Sequence, residues 1–241
     1  MREKDSINKI LEGRCRGTGE DYVGFKKANE SHSRGAAAEI YDPIAKRTVD
    51  VLSNGERYLF WDRRYDEHVL EIREQHLLHP GIVARSAAEL RLNIPREILS
   101  TDLLVLYDDG KITAYSVKKS RSEIDPDTAK GRRIIRRQVL EMRHWQMLGV
   151  EFRIVFTEEM DRIRAENIES VMAFYDHGWV ATPDQMYKYL IAHHIVDVDL
   201  SRQIPFAKIA RENAGEIMAL FKREAGRKEA SYVQDWISDK A

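Results

Sequence analysis

Two short apolar runs joined by a tight turn constrain this chain more than any other part of its sequence. The stretch reads STDLLVLYDDGKITAYSVKKS, with Asp102 near its start and Lys118 near its end. The Asp-Asp-Gly triplet between the runs is typical of a β-hairpin turn. In an antiparallel hairpin the start of one strand lies beside the end of the next. We therefore expect Asp102 and Lys118 to lie at the same end of a sheet.

A second acidic residue, Glu56, stands at the start of a predicted helix. Ser53 is a typical N-cap, and Glu56 takes the third helical position, which is the pattern of a capping box. We expect this helix to run to about Asp66. Two carboxylates and a lysine are residue types that can hold Mg²⁺ and water against a phosphodiester, and the backbone carbonyl of Val117 is a further candidate ligand.

Each of these three residues also has a simpler interpretation. Helix capping is enough to explain Glu56, strand capping would explain Asp102, and Lys118 taken alone fits a solvated strand end. Only the three residues taken together favour a metal-dependent active site.

The order of the remaining elements predicts an α/β fold with a mixed sheet flanked by helices. The predicted elements are strand pieces within 39–51, a helix after Ser53, a strand over 69–78, a short helix from Ser86 to before Pro95, the hairpin, a helix over 132–148 and a strand over 150–156. After about Glu159 only helical patterns follow. We therefore expect a catalytic domain over 1–159 and a small, mainly helical domain over 160–241.

Charge and composition narrow the classes of partner. The formal net charge is −1, so nucleic acid would have to bind through a local basic patch. The densest basic cluster lies on the helix over 132–148 and is formed by Arg132, Arg133, Arg136 and Arg137. Phosphate contact and a solvated helix face both fit this pattern.

The apolar runs and the cysteine content indicate in which cellular compartment the protein is expected. No run of about 18 apolar residues is present, so we expect no membrane span. Cys15 is the only cysteine, which excludes disulfides within the chain and zinc sites made of several thiolates. We therefore expect a cytoplasmic protein.

Several ordered pieces of the sequence resemble the TnsA endonuclease family. They are VLSNGERYLFWDRRYDEHVLEIREQ, LSTDLLV, the hairpin ending in SVK, LEMRHWQMLGVEF and ENIES, and they cover roughly residues 10 to 170. The resemblance implies a restriction-endonuclease-like core that uses Mg²⁺, with Mn²⁺ as a substitute. It also implies catalytic roles for Glu56, Asp102 and Lys118, and metal ligation by the first two.

Two more positions follow from the same resemblance. Glu141 falls on a further acidic position that looks like an indirect metal contact, although an ion pair with Arg137 on the helix surface also fits its spacing. Ser116 departs from the pattern, because this fold usually has Glu, Asp or Gln two residues before the lysine. A neutral hydroxyl is a weaker Mg²⁺ ligand than a carboxylate.

TnsA proteins are the subunits of heteromeric cut-and-paste transposases that cut the 5′ ends of the element. The resemblance implies transposon-end DNA as substrate, with a TnsB-like recombinase that cuts and joins the 3′ ends and a TnsC-like regulatory ATPase as partners. It implies a C-terminal domain that resembles a winged helix and contacts the ATPase.

The function that we expect is therefore a Mg²⁺-dependent DNA endonuclease subunit of a transposase. Another restriction or repair nuclease with the same core remains an alternative. A catalytically inactive DNA-binding or assembly subunit is a second alternative, because Ser116 replaces the usual charged or amide ligand.

Overall fold

The computed structural model describes residues 3–30 and 36–238, and the chain divides into two compact units, Met1–Asp161 and Arg162–Ala241. The first unit is mixed α/β and the second is helical, as the sequence predicts. The first unit contains α1 (Glu3–Leu11), β1 (Ala38–Asp42), β2 (Arg47–Val51), α2 (Asn54–Arg64), β3 (Val69–Leu77), α3 (Pro80–Glu89), β4 (Ser100–Tyr107), β5 (Ile112–Lys118), α4 (Ala129–Met147) and β6 (Glu151–Phe156).

Two sheets organise the first unit. Strands β1 and β2 form an antiparallel pair, and the larger sheet has the order β3-β4-β5-β6. Its first three strands are antiparallel, whereas β6 runs parallel to β5 after the crossover through α4. The sheet is therefore mixed, and the predicted hairpin forms its two central strands.

Helices flank this sheet and close its core. Helix α2 packs against β3, β4 and β5. A buried cluster joins Val83 of α3 and Trp145 of α4 to Leu104 and Ala114 of the hairpin. Because the apolar runs of β4 and β5 are buried in this way, the strand ends that carry Asp102 and Lys118 are held in fixed register.

One helix begins earlier than its pattern predicts. The prediction started α3 at Ser86, whereas the structure starts it at Pro80. Proline lacks an N–H group and has a helical φ, so it fits the first turn of a helix, where that N–H would have no partner within the helix. The proline begins this helix and does not interrupt it.

The second unit contains α5 (Arg162–Met172), α6 (Pro183–Ala192), α7 (Phe206–Glu212) and α8 (Ala214–Ser238). Helix α6 begins with a capping box between Thr182 and Gln185 and packs against α5, α7 and α8. No strand occurs between residues 162 and 238, so the described part of this unit lacks the β-wing of a winged helix. Nowhere in residues 3–30 and 36–238 is a helix long and apolar enough to cross a membrane.

Candidate active site

The structure brings Asp102 and Lys118 together at one end of the hairpin. Asp102 is the third residue of β4, and Lys118 is the last residue of β5. The Asp102 carboxylate accepts a hydrogen bond from the Val117 N–H, with 2.7 Å between Oδ2 and the nitrogen. The Lys118 ammonium lies 3.7 Å from the same oxygen. The aspartate is thus anchored to the backbone of the strand that carries the lysine.

Ser116 links the acid and the lysine. Its hydroxyl donates to Asp102 Oδ2 at 3.3 Å and accepts from Lys118 Nζ at 2.8 Å. Lys118 also donates to the Val117 carbonyl oxygen at 2.7 Å. The serine therefore holds the two charged groups in a fixed arrangement, and Lys118 is not a freely solvated strand end.

Glu56 is held at the start of α2 by a variant of the predicted capping box. The Glu56 N–H donates to Ser53 Oγ at 3.2 Å, as predicted. The returning bond differs, because Glu56 Oε2 accepts from the N–H of Leu52 at 3.0 Å, one residue before the N-cap. The side chain of Gln75 donates to the same oxygen at 3.1 Å. The carboxylate thus has a fixed position beside the sheet.

A glycine allows α2 to approach β5 closely. A Cβ atom on Gly55 would lie 2.1 Å from Thr157 Oγ1 and 2.7 Å from a methyl group of Val117. No side chain fits in that space. Gly55 therefore brings Glu56 to the end of β5 that carries Lys118.

Glu141 lies inside the protein and not on its surface. Its side chain is on α4, is 1% exposed, and accepts a hydrogen bond from Thr101 Oγ1. The alternative of an ion pair on the helix surface is therefore wrong. Thr101 precedes Asp102 on β4, so this contact attaches α4 to the strand that carries the aspartate.

Burial and, to a smaller extent, the neighbouring negative charge of Asp102 raise the pKa of both Glu56 and Glu141 to about 7. Negative charges that lie close together in a poorly solvated region disfavour the ionisation of one another. The three acids therefore form one electrostatic cluster, which a cation would stabilise.

A cavity of about 600 Å³ contains the predicted catalytic and metal-binding groups, whereas Ser116 and Glu141 do not line it. Its lining includes Glu56, Asp102, Val117 and Lys118. Other polar side chains line it as well, among them Lys26, Gln75 and Arg137. Arg137 is one of the predicted DNA-binding residues, but Lys26 and Gln75 were not predicted, because a loop lysine and a strand glutamine carry no periodic signal.

Gln75 connects the cavity to the sheet in a strained conformation. Its φ is +46°, in the left-handed region that non-glycine residues rarely adopt. Besides donating to Glu56, its side chain accepts from Ser100 Oγ at 3.1 Å. Backbone strain of this kind persists only where surrounding contacts fix the residue. Gln75 therefore joins Glu56 on α2 to the first residue of β4.

The four predicted DNA-binding arginines differ in their surroundings. Arg137 lines the cavity and donates to the Ser100 carbonyl at 3.2 Å. Arg132 donates to carbonyls of the preceding loop at 3.0 Å. Arg133 and Arg136 are exposed on α4. Arg132 is exposed as well, so these three arginines present a solvated face, whereas Arg137 is half-buried and lines the cavity.

The donors at this site suit a hard divalent cation. Oδ1 of Asp102 accepts no hydrogen bond from the described residues, and the Val117 carbonyl keeps a second lone pair beside its bond to Lys118. Within the described ranges, no three His, Cys, Asp or Glu side chains converge closely enough to hold a metal by themselves. Mg²⁺ retains several waters, so Glu56, Asp102 and one carbonyl fit its needs.

Two comparisons show which known proteins this chain resembles in sequence. Residues 66–158 match the protein family described as TnsA-like endonuclease, N-terminal. This range contains Asp102, Ser116, Lys118 and Glu141, whereas Lys26 and Glu56 precede it. The chain is also 29% identical over 173 residues to the transposon Tn7 transposition protein TnsA of Escherichia coli. That alignment covers 69% of this chain and 62% of the relative, so the chain spans less than two thirds of the relative's length.

Proposed function

Because residues 66–158 are TnsA-like and carry the hairpin of the candidate site, we propose that the protein is the DNA endonuclease subunit of a transposase. The reaction is hydrolysis of a phosphodiester at the 5′ ends of a transposon, with Mg²⁺ as the cofactor and Mn²⁺ as a substitute. The observation that supports it best is the meeting of Asp102, Lys118 and Glu56 in one cavity.

Glu56, Asp102 and the Val117 carbonyl are the groups that would hold the cation. When bound, Mg²⁺ supplies positive charge at the scissile phosphate and makes water a better nucleophile at neutral pH. Lys118 is fixed by Ser116 and Val117, so its ammonium can donate to a water or to a phosphate oxygen without reorganising. Gln75 keeps the Glu56 carboxylate oriented toward the cavity.

The proposed partners follow from the TnsA-like character of the chain. They are a TnsB-like recombinase, which acts at the 3′ ends, and a TnsC-like ATPase. The exposed Arg133 and Arg136 on α4 are suited to contact DNA phosphates. The protein's net charge of −1 fits a subunit that depends on its partners to recognise the transposon end.

Asp102→Asn tests the proposal, with Asp109→Asn in the exposed turn of the same hairpin as its control. Labelled transposon-end DNA is incubated with Mg²⁺ and each variant, with and without the recombinase. We expect Asp102→Asn to reduce 5′-end cleavage by about 1,000-fold or more, because it removes a charged ligand from the site. The control should cleave within about twofold of wild type, since surface changes are usually near neutral.

The other outcomes separate the alternatives. Cleavage of plain duplex DNA by the protein alone would favour a restriction or repair nuclease. No cleavage by folded wild type with both partners present would favour an inactive assembly subunit. Full activity of Asp102→Asn would contradict the assigned site.

A further inference from the structure

A loop segment before β1 carries Lys26 into the cavity on a rigid backbone. Phe25, its neighbour, is fully buried. The Phe25 N–H donates to the Gln75 carbonyl at 3.2 Å, and the Phe25 carbonyl accepts from Arg14 Nη1 at 3.1 Å. The residue before Lys26 is therefore fixed through both of its backbone polar groups and its ring.

The residues after Lys26 are fixed as well. The Lys27 N–H donates to Glu30 Oε2 at 3.2 Å, and the Ala28 N–H donates to Asp50 Oδ1 at 2.7 Å. The backbone of Lys26 is thus held on both sides by hydrogen bonds to other parts of the chain.

The ammonium of Lys26 faces the acids without contacting them. The side chain is half-buried and lines the cavity with Glu56 and Asp102. Within residues 3–30 and 36–238 it makes no hydrogen bond and no ion pair. Burial lowers the pKa of Lys26, and the positive charge of Arg137 lowers it further, whereas the charges of Asp102, Glu56 and Glu141 raise it.

This arrangement differs from that of a structural counter-charge. In the same unit Arg47 neutralises Glu74 by direct contact, with 2.6 Å between nitrogen and oxygen. Lys26 makes no such contact, although burying an ammonium has a free-energy cost that a partner would offset. A cation held partly desolvated beside a cavity, with its hydrogen-bonding capacity unused, suits an anion that arrives with the substrate.

We propose that Lys26 contacts a non-bridging phosphate oxygen of DNA bound in this cavity, as a second lysine beside Lys118. This role rests on the proposed nuclease function and deepens it. The ligand is a phosphodiester, because this cavity is the proposed site of phosphodiester hydrolysis and lysine is a common contact to DNA phosphates.

Lys26→Met tests this role, because methionine keeps an unbranched stem and removes the ammonium. Lys27→Met is the matched control, since Lys27 is the next residue and does not line the cavity. Single-turnover cleavage of labelled transposon-end DNA is measured with Mg²⁺ in the presence of the recombinase and the ATPase. Binding of the same duplex is measured in Ca²⁺ as a function of salt.

We expect Lys26→Met to lower the cleavage rate by about 10- to 100-fold, the range for loss of one charge-assisted hydrogen bond. The slope of log affinity against log salt should fall by about one, as for loss of one phosphate contact. Lys26→Arg should recover most of both losses, and Lys27→Met should leave cleavage within about threefold of wild type.

Equal behaviour of Lys26→Met and Lys27→Met in both assays would overturn the role of Lys26. If Asp102→Asn still abolished cleavage, the proposed function would stand. If wild type bound DNA with a slope that depended on Lys26 but did not cleave, the phosphate contact would stand and the nuclease function would fail. If Lys26→Met did not fold, Lys26→Gln and Lys26→Arg would replace it. Loss of cleavage in a stably folded Lys26→Arg variant would contradict the proposal that Lys26 acts through its positive charge.

Discussion

Buried carboxylates are treated in two ways within the first unit. Two of them are each matched to a guanidinium: Asp42 pairs with Arg64 at 2.7 Å, and Arg47 binds both oxygens of Glu74 at 2.8 and 2.6 Å. In the candidate site, Glu56, Asp102 and Glu141 share one region with no guanidinium bound to any of them through a salt bridge in the described chain.

This difference distinguishes carboxylates that stabilise the fold from carboxylates that are suited to catalysis. A paired buried carboxylate gains a partner that compensates for lost hydration. In the described chain, Glu56 and Glu141 have raised pKa values and no guanidinium in a salt bridge, a combination typical of functional sites. Three experiments distinguish the paired carboxylates from those of the candidate site.

Arg64→Met should destabilise the protein most. The Arg64 and Asp42 side chains are fully buried, so the substitution leaves a carboxylate without its counter-charge. We expect the free energy of unfolding to fall by about 3–5 kcal/mol in urea denaturation. Combining it with Asp42→Leu should recover much of the loss, because both charges are then absent. If the free energy of unfolding of Arg64→Met fell by less than about 1 kcal/mol, Asp42 would not depend on Arg64 as its counter-charge, and the contrast with the site acids would fail.

The site acids should make the metal-free protein less stable as pH rises. Glutamate in the unfolded chain has a pKa near its ordinary value of about 4.3, whereas in the folded state Glu56 and Glu141 have values of about 7. Between those values the folded state binds more protons, so its stability is full at low pH and is lost as pH rises through 7.

We expect urea denaturation in EDTA to show this contribution as a fall of about 1–3 kcal/mol between pH 5 and pH 8. Glu141→Gln removes one of the two titrating groups and should reduce the fall by about half. Glu89→Gln, an exposed change on α3, serves as the control. An unchanged pH dependence in Glu141→Gln would contradict the assigned cluster.

Ser116→Ala should have the smallest effect. It removes the hydroxyl between Asp102 and Lys118 but leaves the bond from Lys118 to the Val117 carbonyl. Loss of one hydrogen bond of about 1 kcal/mol predicts a fall in cleavage of roughly 3- to 10-fold. Ser122→Ala, in the exposed loop after β5, should have no effect. Complete loss of cleavage in Ser116→Ala would mean that the hydroxyl acts directly on the substrate or metal.

Local sequence patterns predicted the hairpin and its charged end because both depend on neighbours in the chain. The alternating runs fix the faces of β4 and β5, and the tight turn fixes their register. Asp102 and Lys118 are therefore adjacent in space as a consequence of local geometry. The capping pattern at Ser53 predicted the start of α2 for the same reason. The predicted start of α3 was wrong, because the sequence does not distinguish a proline that begins a helix from a proline that ends one.

The sequence alone predicts the α/β class, the hairpin end with Asp102 and Lys118 and, through family resemblance, the role of Glu56. The burial of Glu141 against Thr101 and the presence of Lys26 and Gln75 in one cavity depend on the folded structure. These groups come from elements far apart in the chain. Periodicity reports which face of an element is apolar, but not which distant loop packs beside it. That choice depends on the burial of Phe25 and its bond to Gln75, which exist only after the chain has folded.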